Sequence, residues 1–288
     1  MSTQTSPWEI PGADGLPIIG DAHEPADPPR GVVLIIHGFL GYKDYGMFPR
    51  IAESFADAGF VAHRFNLSHS GMTNRIETFE HPDRFERDTW NKQVFDVDAV
   101  IDQIAAGTLA GKDLPLFLLG HSRGGVTAIL TAARRFHADR SPFPAGVITL
   151  SAPSQCSSAT PDERRAILER GFIEVRSNRT GQTMRIDRTW LQEQIDDPEG
   201  HDLLLAAGRL RCPLLAIHGK ADSTVDPRSA VALAEAAGSR GRHVLVDGGD
   251  HVFNTPNPLP PEAESSAQLT SAIEEAITLA TREGRTIS

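Results

Sequence analysis

The chain has 288 residues, 40% of them apolar, and carries a formal net charge of −10 at pH 7. That length allows one large domain or two ordinary ones, with enough apolar material for a sizeable core. The acidic balance, with no run of Lys or Arg, argues against nucleic acid and anionic membranes as partners.

Short apolar runs alternate with helical patterns along the chain. The first 30 residues, with "PGADGLP", read as a strand hairpin added at a sheet edge. "GVVLIIHG" (31–38) is a buried-strand run, "MFPRIAESFADAGF" (47–60) has helical spacing, and "FVAHRF" (60–65) is the next strand. After a polar, glycine-bearing loop, residues 88–106 put Trp90, Val94, Val97, Ile101 and Ile104 on one helical face. Strand 115–120, helix 124–137 and strand 145–153 follow. Strand 213–219, helix 228–238, strand 242–249 and a helix over about 262–282 complete the chain. Such alternation predicts a mainly parallel, doubly wound sheet with helices on both faces, in one domain spanning 1–288. Residues 154–212 interrupt the rhythm between two core strands. Within them, 171–187 alternates around Asn-Arg-Thr-Gly and reads as a hairpin. Long insertions of this kind are usually lids or binding loops.

The strand 115–120 runs directly into "GHSRGG" and then a helix. A strand-to-helix turn this tight strains its central residue and requires small neighbours two before and two after it. Those neighbours are Gly120 and Gly124, and the central residue is Ser122. The turn projects Ser122 at the carboxyl edge of the sheet, where ligands bind in open α/β sheets, beside a helix N-terminus that favours negative charge. On this segment alone, Ser122 is either a nucleophile or a helix cap.

A serine hydroxyl needs a base. Of 11 histidines, His251 follows a strand ending at Gly249 and so falls on the same sheet edge. A base histidine needs an acid to hold its tautomer. Asp222 and Asp226 both follow the strand ending at Gly219. Asp222 is preferred, because Asp226 precedes Pro227 at a helix start and reads as an N-cap.

The order Ser122, Asp222, His251, together with "HGF" after the first core strand, "GHSRGG", "HGKADSTV" and "GGDHVF", resembles the α/β-hydrolase superfamily over about residues 31–282. Within it, "HGFLGYKDYGMFPRIAESFADAGFVAHRFN" resembles small serine esterases of the feruloyl-esterase and dienelactone-hydrolase-like groups. The 171–187 hairpin resembles the inserted lid of some cinnamoyl esterases. The resemblance implies the α/β-hydrolase fold with a lid-like insertion between the sixth and seventh strands. It also implies an oxyanion hole from the N–H groups of Arg123 and Phe39, with His37 and Gly38 shaping the loop. Dienelactone hydrolases proper use a cysteine nucleophile, so the serine argues against that activity. Where related sequences often carry Asp-x-Arg-Gly-x-Gly, this one has "FNLSHSGM". That makes His69 a candidate substrate contact. Phe172, Met184 and Trp190 in the insertion, and Phe253 behind His251, are candidates for an apolar substrate pocket. The Arg123 side chain is read as forming a salt bridge within the protein, although it can also bind a substrate carboxylate.

Cys156 and Cys212 lack CxxC spacing and are read as reduced thiols, one disulfide between them remaining open. The N-terminus lacks a signal-peptide pattern, and no apolar stretch nears the ~20 residues needed to span a bilayer. The expectation is a cytoplasmic protein. No metal-ligand spacing or phosphate-cradling motif is present, so no cofactor and no metal are expected. The expected partner is a small-molecule ester; the oligomeric state is left open. The reading is a serine hydrolase of carboxylic esters. Its rivals are a peptidase or amidase with the same three residues and a non-catalytic binding module on the same fold.

Overall fold

The computed structural model describes residues 4–157, 159–260 and 262–287. The chain begins with an antiparallel hairpin of β1 (Gln4–Pro11) and β2 (Pro17–Glu24). β3 (Val32–Ile36), α1 (Met47–Asp57), β4 (Val61–Asn66), the short α2 (Pro82–Glu86), α3 (Trp90–Ala106), β5 (Leu116–His121), α4 (Arg123–His137) and β6 (Gly146–Leu150) follow. An excursion then contains α5 (Pro161–Arg170), β7 (Phe172–Arg176), β8 (Thr183–Asp187), α6 (Thr189–Asp196) and α7 (Leu203–Gly208). The chain returns through β9 (Leu214–Gly219), α8 (Arg228–Ala236), β10 (Gly241–Val246) and α9 (Ala267–Ile287).

Eight strands form one sheet in the order β1-β2-β4-β3-β5-β6-β9-β10. β2 pairs antiparallel with β4, and from β4 to β10 every pair is parallel. The α/β architecture and the edge hairpin therefore match the sequence expectation. Strand alternation explains how the two faces are covered. Val32, Leu34 and Ile36 of β3 and Leu118 of β5 join one core with Val97 and Ile101 of α3 and Val126 and Ile129 of α4. Val33 and Ile35 of β3 and Phe117 and Leu119 of β5 face the other way, onto Ile51 and Phe55 of α1 and Leu269 and Ile273 of α9. A strand buried on both faces reads as an unbroken apolar run, as "VVLII" does.

The insertion holds the expected hairpin: β7 and β8 pair antiparallel in a separate sheet, with Ile173 opposite Ile186 and Val175 opposite Met184. Its turn is tied to the loop before α2, where the Gln182 side-chain oxygen accepts from Phe79 N–H at 2.8 Å and its amide donates to Phe79 O at 3.1 Å. Element ends differ from the expectation for local reasons. The last helix starts at Ala267, not 262, because the Ser266 hydroxyl accepts from Leu269 N–H at 3.0 Å and so caps it there. β10 stops at Val246, where a turn closes through Gly249 N–H to Val246 O. Cys156 and Cys212 are free and buried. Among the described residues no helix is long and apolar enough to cross a membrane.

Phe117, fully buried on β5, packs edge-on against Phe60 at 6.1 Å between ring centroids. Phe117→Ala should cost about 3–5 kcal/mol of stability. Urea unfolding measures this, and a loss below about 1 kcal/mol would show that β5 is not anchored by this contact.

Candidate active site

β5 ends one residue before Ser122, and α4 starts one residue after it. Ser122 takes φ 53° and ψ −122°, a left-handed conformation that a residue with a side chain rarely adopts. The turn is held by Ser122 N–H to Leu150 O at 2.8 Å and by Gly125 N–H to Ser122 O at 2.9 Å. Its neighbours leave no room for a side chain. A Cβ on Gly120 would lie 2.1 Å from Gly124 O, and one on Gly124 would lie 2.2 Å from Ile36 O. The two glycines are therefore required by contact between backbones, as the motif implied.

His251 follows β10 and meets Asp222, which follows β9: His251 Nδ1 donates to Asp222 Oδ2 at 2.8 Å. Asp222 is buried and its lone pairs are filled. Oδ1 accepts from Thr224 and Val225 N–H at 2.8 and 2.9 Å, and Oδ2 also accepts from His218 Nε2 at 2.9 Å. Burial alone would raise its pKa, but the bonds from His218, His251 and Val225 outweigh burial and hold the carboxyl well below its ordinary value. Asp226 instead pairs with Arg228 and accepts its N–H at 2.9 Å, so Asp222 rather than Asp226 reaches His251. Ser122 and His251 line the same cavity. The Ser122 hydroxyl makes no hydrogen bond among the described residues.

The loop after β3 lies directly against the turn. A Cβ on Gly38 would be 3.0 Å from Ser122 Cβ and 3.4 Å from Arg123 N. The N–H groups of Phe39 and Arg123, the latter at the first position of α4, have no acceptor among the described residues. Two unsatisfied N–H groups beside a serine form a ready receptor for an anionic oxygen. His37 holds this loop: Nδ1 donates to Gly38 O at 2.9 Å and Nε2 accepts Leu67 N–H at 3.2 Å. Burial lowers its pKa to about 4, so it stays neutral, in a local structural role.

Two cavities open beside Ser122, and Phe39 and Ser122 line both. The larger, about 520 Å³, is walled by Ile173 and Val175 of β7, Ile186 of β8 and Trp190 of α6. The smaller, about 210 Å³, is lined by Tyr45, Phe48, His251, Arg176 at the end of β7 and Arg179 in the hairpin turn. Of the four apolar candidates, Trp190 alone lines either cavity. Phe253 is fully buried in the core under α1 and α9, away from both cavities. Met184 shares the inward face of the hairpin but is sealed in the core. Phe172 has the opposite parity from Ile173 and lies under the Arg185 and Arg170 guanidiniums at 4.3 and 5.6 Å. His69 is also away from both cavities. It is buried, within 2.9 Å of the Ser68 hydroxyl and 3.1 Å of the Asp14 carboxylate, and burial lowers its pKa to about 4.

Some neighbours of the site lie inside the quoted motifs without having been assigned a role from sequence. His121 donates from Nε2 to His251 O at 2.8 Å, its ring 4.9 Å from that of His251. Burial lowers its pKa to about 3, so it supports His251 as a neutral ring. His218 becomes meaningful only where β9 brings it onto Asp222. Ile173, Val175 and Ile186 share with Met184 the face of the hairpin that its alternation turns inward, which is the sequence signal that marks them. The Arg123 side chain differs from expectation: it forms no salt bridge among the described residues and sits instead among aromatic rings. No group of His, Cys, Asp and Glu that could hold a metal ion occurs among the described residues.

Gly124→Ala forces a Cβ onto Ile36 O and should cost about 3 kcal/mol or more, lowering the midpoint of thermal unfolding by about 6 °C or more; an unshifted midpoint would contradict the contact. Asp222→Asn should lose about 2 kcal/mol near neutral pH. The Asp222 carboxyl sits below its ordinary value of 3.8 in the folded protein. Its stabilisation is therefore full above about pH 4 and fades as pH falls through the folded value. Urea unfolding across pH should show the wild-type advantage shrinking below about pH 4; a gap that grows there would reverse the assigned sign.

Phospholipase YtpA of Bacillus subtilis is 34% identical over 128 residues, which are 44% of this chain and 42% of that protein, so the match spans about two fifths of the relative's length. Among solved structures, Est1E from Butyrivibrio proteoclasticus with ferulic acid bound superposes with a TM-score of 0.70 at 19% identity, covering 96% of this chain and 98% of that one. Dienelactone hydrolase from Anabaena variabilis gives 0.65 at 16% identity, covering 98% and 99%. The family described as serine aminopeptidase, S33, matches residues 27–196. The chain belongs to this family of α/β-hydrolases.

Proposed function

We propose that the protein is a serine hydrolase of carboxylic esters of small molecules. The observation that carries this reading is that strained Ser122 lines one cavity with His251, whose ring is held from behind by Asp222 at 2.8 Å. The Ser122 oxygen attacks the ester carbonyl carbon while His251 Nε2 takes its proton. Asp222 keeps the His251 proton on Nδ1 and stabilises the imidazolium that forms. The tetrahedral oxyanion is received by the N–H groups of Phe39 and Arg123. As the intermediate collapses, the ester C–O bond breaks and His251 returns the proton to the leaving alcohol. Water, deprotonated by His251, then attacks the acyl-enzyme, and the acid departs as Ser122 recovers its proton.

The apolar wall of Ile173, Val175, Ile186 and Trp190 suits a hydrocarbon or aryl portion of the ester. The hairpin that bears most of this wall acts as a lid over the acyl or alcohol group. The names of two similar proteins, a phospholipase and one with ferulic acid bound, agree with this chemistry.

The family description favours a second reading, cleavage of a peptide amino terminus. That substrate's ammonium group needs a free carboxylate. In the larger cavity, Glu163 is engaged with Thr160 N–H at 2.7 Å and Asp226 with Arg228, while Arg123 adds positive charge. Esters are the better fit.

A fluorophosphonate probe should label the wild type at Ser122, and Ser122→Ala should abolish labelling. The substitution should also lower kcat on p-nitrophenyl esters by about a thousandfold or more. A wild-type protein that resists the probe would point to a binding module, and an active Ser122→Ala variant would remove Ser122 from the mechanism.

A further inference from the structure

Arg123 lies beside the nucleophile in sequence and in the wall of the larger cavity. Its guanidinium carbon is 4.2 Å from the ring centre of Phe39, 4.9 Å from Trp190 and 5.6 Å from Trp90. Aromatic faces attract a cation, but they do not accept its five N–H groups as a carboxylate does. Among the described residues this side chain has no salt bridge and no hydrogen bond. Burial also lowers its pKa, to about 10, so it remains charged near neutral pH while losing hydration.

Most acids nearby are committed. Glu163 caps α5, and Asp226 pairs with Arg228. The acid that acts most on Arg123 is Asp88, which lies beyond ion-pair distance. Burial raises the Asp88 carboxyl to about 7, and its charge is therefore only partial near neutrality. A partly buried cation packed against three rings, with free donors beside the apolar wall of the cavity, is an incomplete ion pair. No carboxylate pairs with it among the described residues.

We infer that the substrate carries an anionic oxygen group, a carboxylate or phosphate, on an apolar body, and that the Arg123 guanidinium binds that group in the larger cavity. The apolar body lies along Ile173, Val175, Ile186 and Trp190, and the reactive carbonyl reaches Ser122. This specificity rests on the ester-hydrolase reading, but anion binding can be measured without turnover. Arg123 would thus serve twice: its N–H toward the oxyanion and its side chain toward the substrate's charge.

Calorimetric titration of the full chain tests the inference with phenylbutyrate, its neutral amide phenylbutyramide, and phenyl phosphate. At least one of the two anions should bind about tenfold tighter than the amide. The tighter anion identifies the group: phenylbutyrate a carboxylate, phenyl phosphate a phosphate. Arg123→Met should erase the preference. Arg123→Lys keeps charge and stem but loses the planar fork, so the anion should weaken several-fold yet still exceed the amide; it also serves if Arg123→Met does not fold. A purely structural role would weaken amide and anion alike, leaving their ratio unchanged, and would overturn the inference. Equal binding of amide and both anions to the wild type would overturn it too, as would a preference that survives in Arg123→Met and so belongs to Arg176 or Arg179. Fluorophosphonate labelling of the same wild-type sample separates the two claims: no adduct defeats the hydrolase reading, whereas an adduct without anion preference defeats only this one.

Discussion

The site depends on one close approach of backbones. β5, α4 and the loop after β3 come together so tightly that the positions two before and two after Ser122 have no space for a Cβ. That contact forces Ser122 to a positive φ and holds its hydroxyl out at the sheet edge. It also brings Gly38 against Arg123 N, so that two unpaired N–H groups flank the hydroxyl. Strain, exposure of the oxygen and the anion receptor are thus three consequences of the same packing.

The parallel sheet supplies the second requirement. Because β5, β9 and β10 point the same way, the segments leaving their carboxyl ends gather along one edge. Residues about 30 and 100 positions apart in the chain meet there. The Asp222 carboxylate, filled by four donors, cannot rotate away from His251. The His121 and His37 rings, kept neutral by burial, act as fixed hydrogen-bonding struts rather than as competing bases.

Around this rigid centre the insertion gives the site its character. Ile173, Val175 and Ile186 give the larger cavity an apolar wall, and the turn between β7 and β8 sends Arg179 to the smaller cavity, where its guanidinium lies 4.6 Å from the Tyr42 ring. Trp190, from α6, reaches back to Arg123 at the first turn of α4. The insertion and the elbow therefore share a cation between them, the junction at which we propose that the substrate's charge is bound.

The amino-acid sequence by itself determined the alternation that builds the sheet, the glycines that the elbow demands, and the order of Ser122, Asp222 and His251 along the chain. These are local rules: strand runs, turn sterics, and the edge on which a segment emerges can be read within a few residues of each position. The sequence also made Phe172, Met184, Phe253 and His69 plausible pocket residues. Tertiary structure decided against them, because hairpin parity, helix packing and a buried polar network set which way each side chain faces. It likewise decided that His218 would join Asp222 and that Arg123 would meet three rings instead of a carboxylate. The Arg123 contacts join residues that are remote in the chain, and the bond between His218 and Asp222, only four residues apart, forms where the loop after β9 turns back on the strand. They exist only once the sheet, the helices and the insertion have packed together.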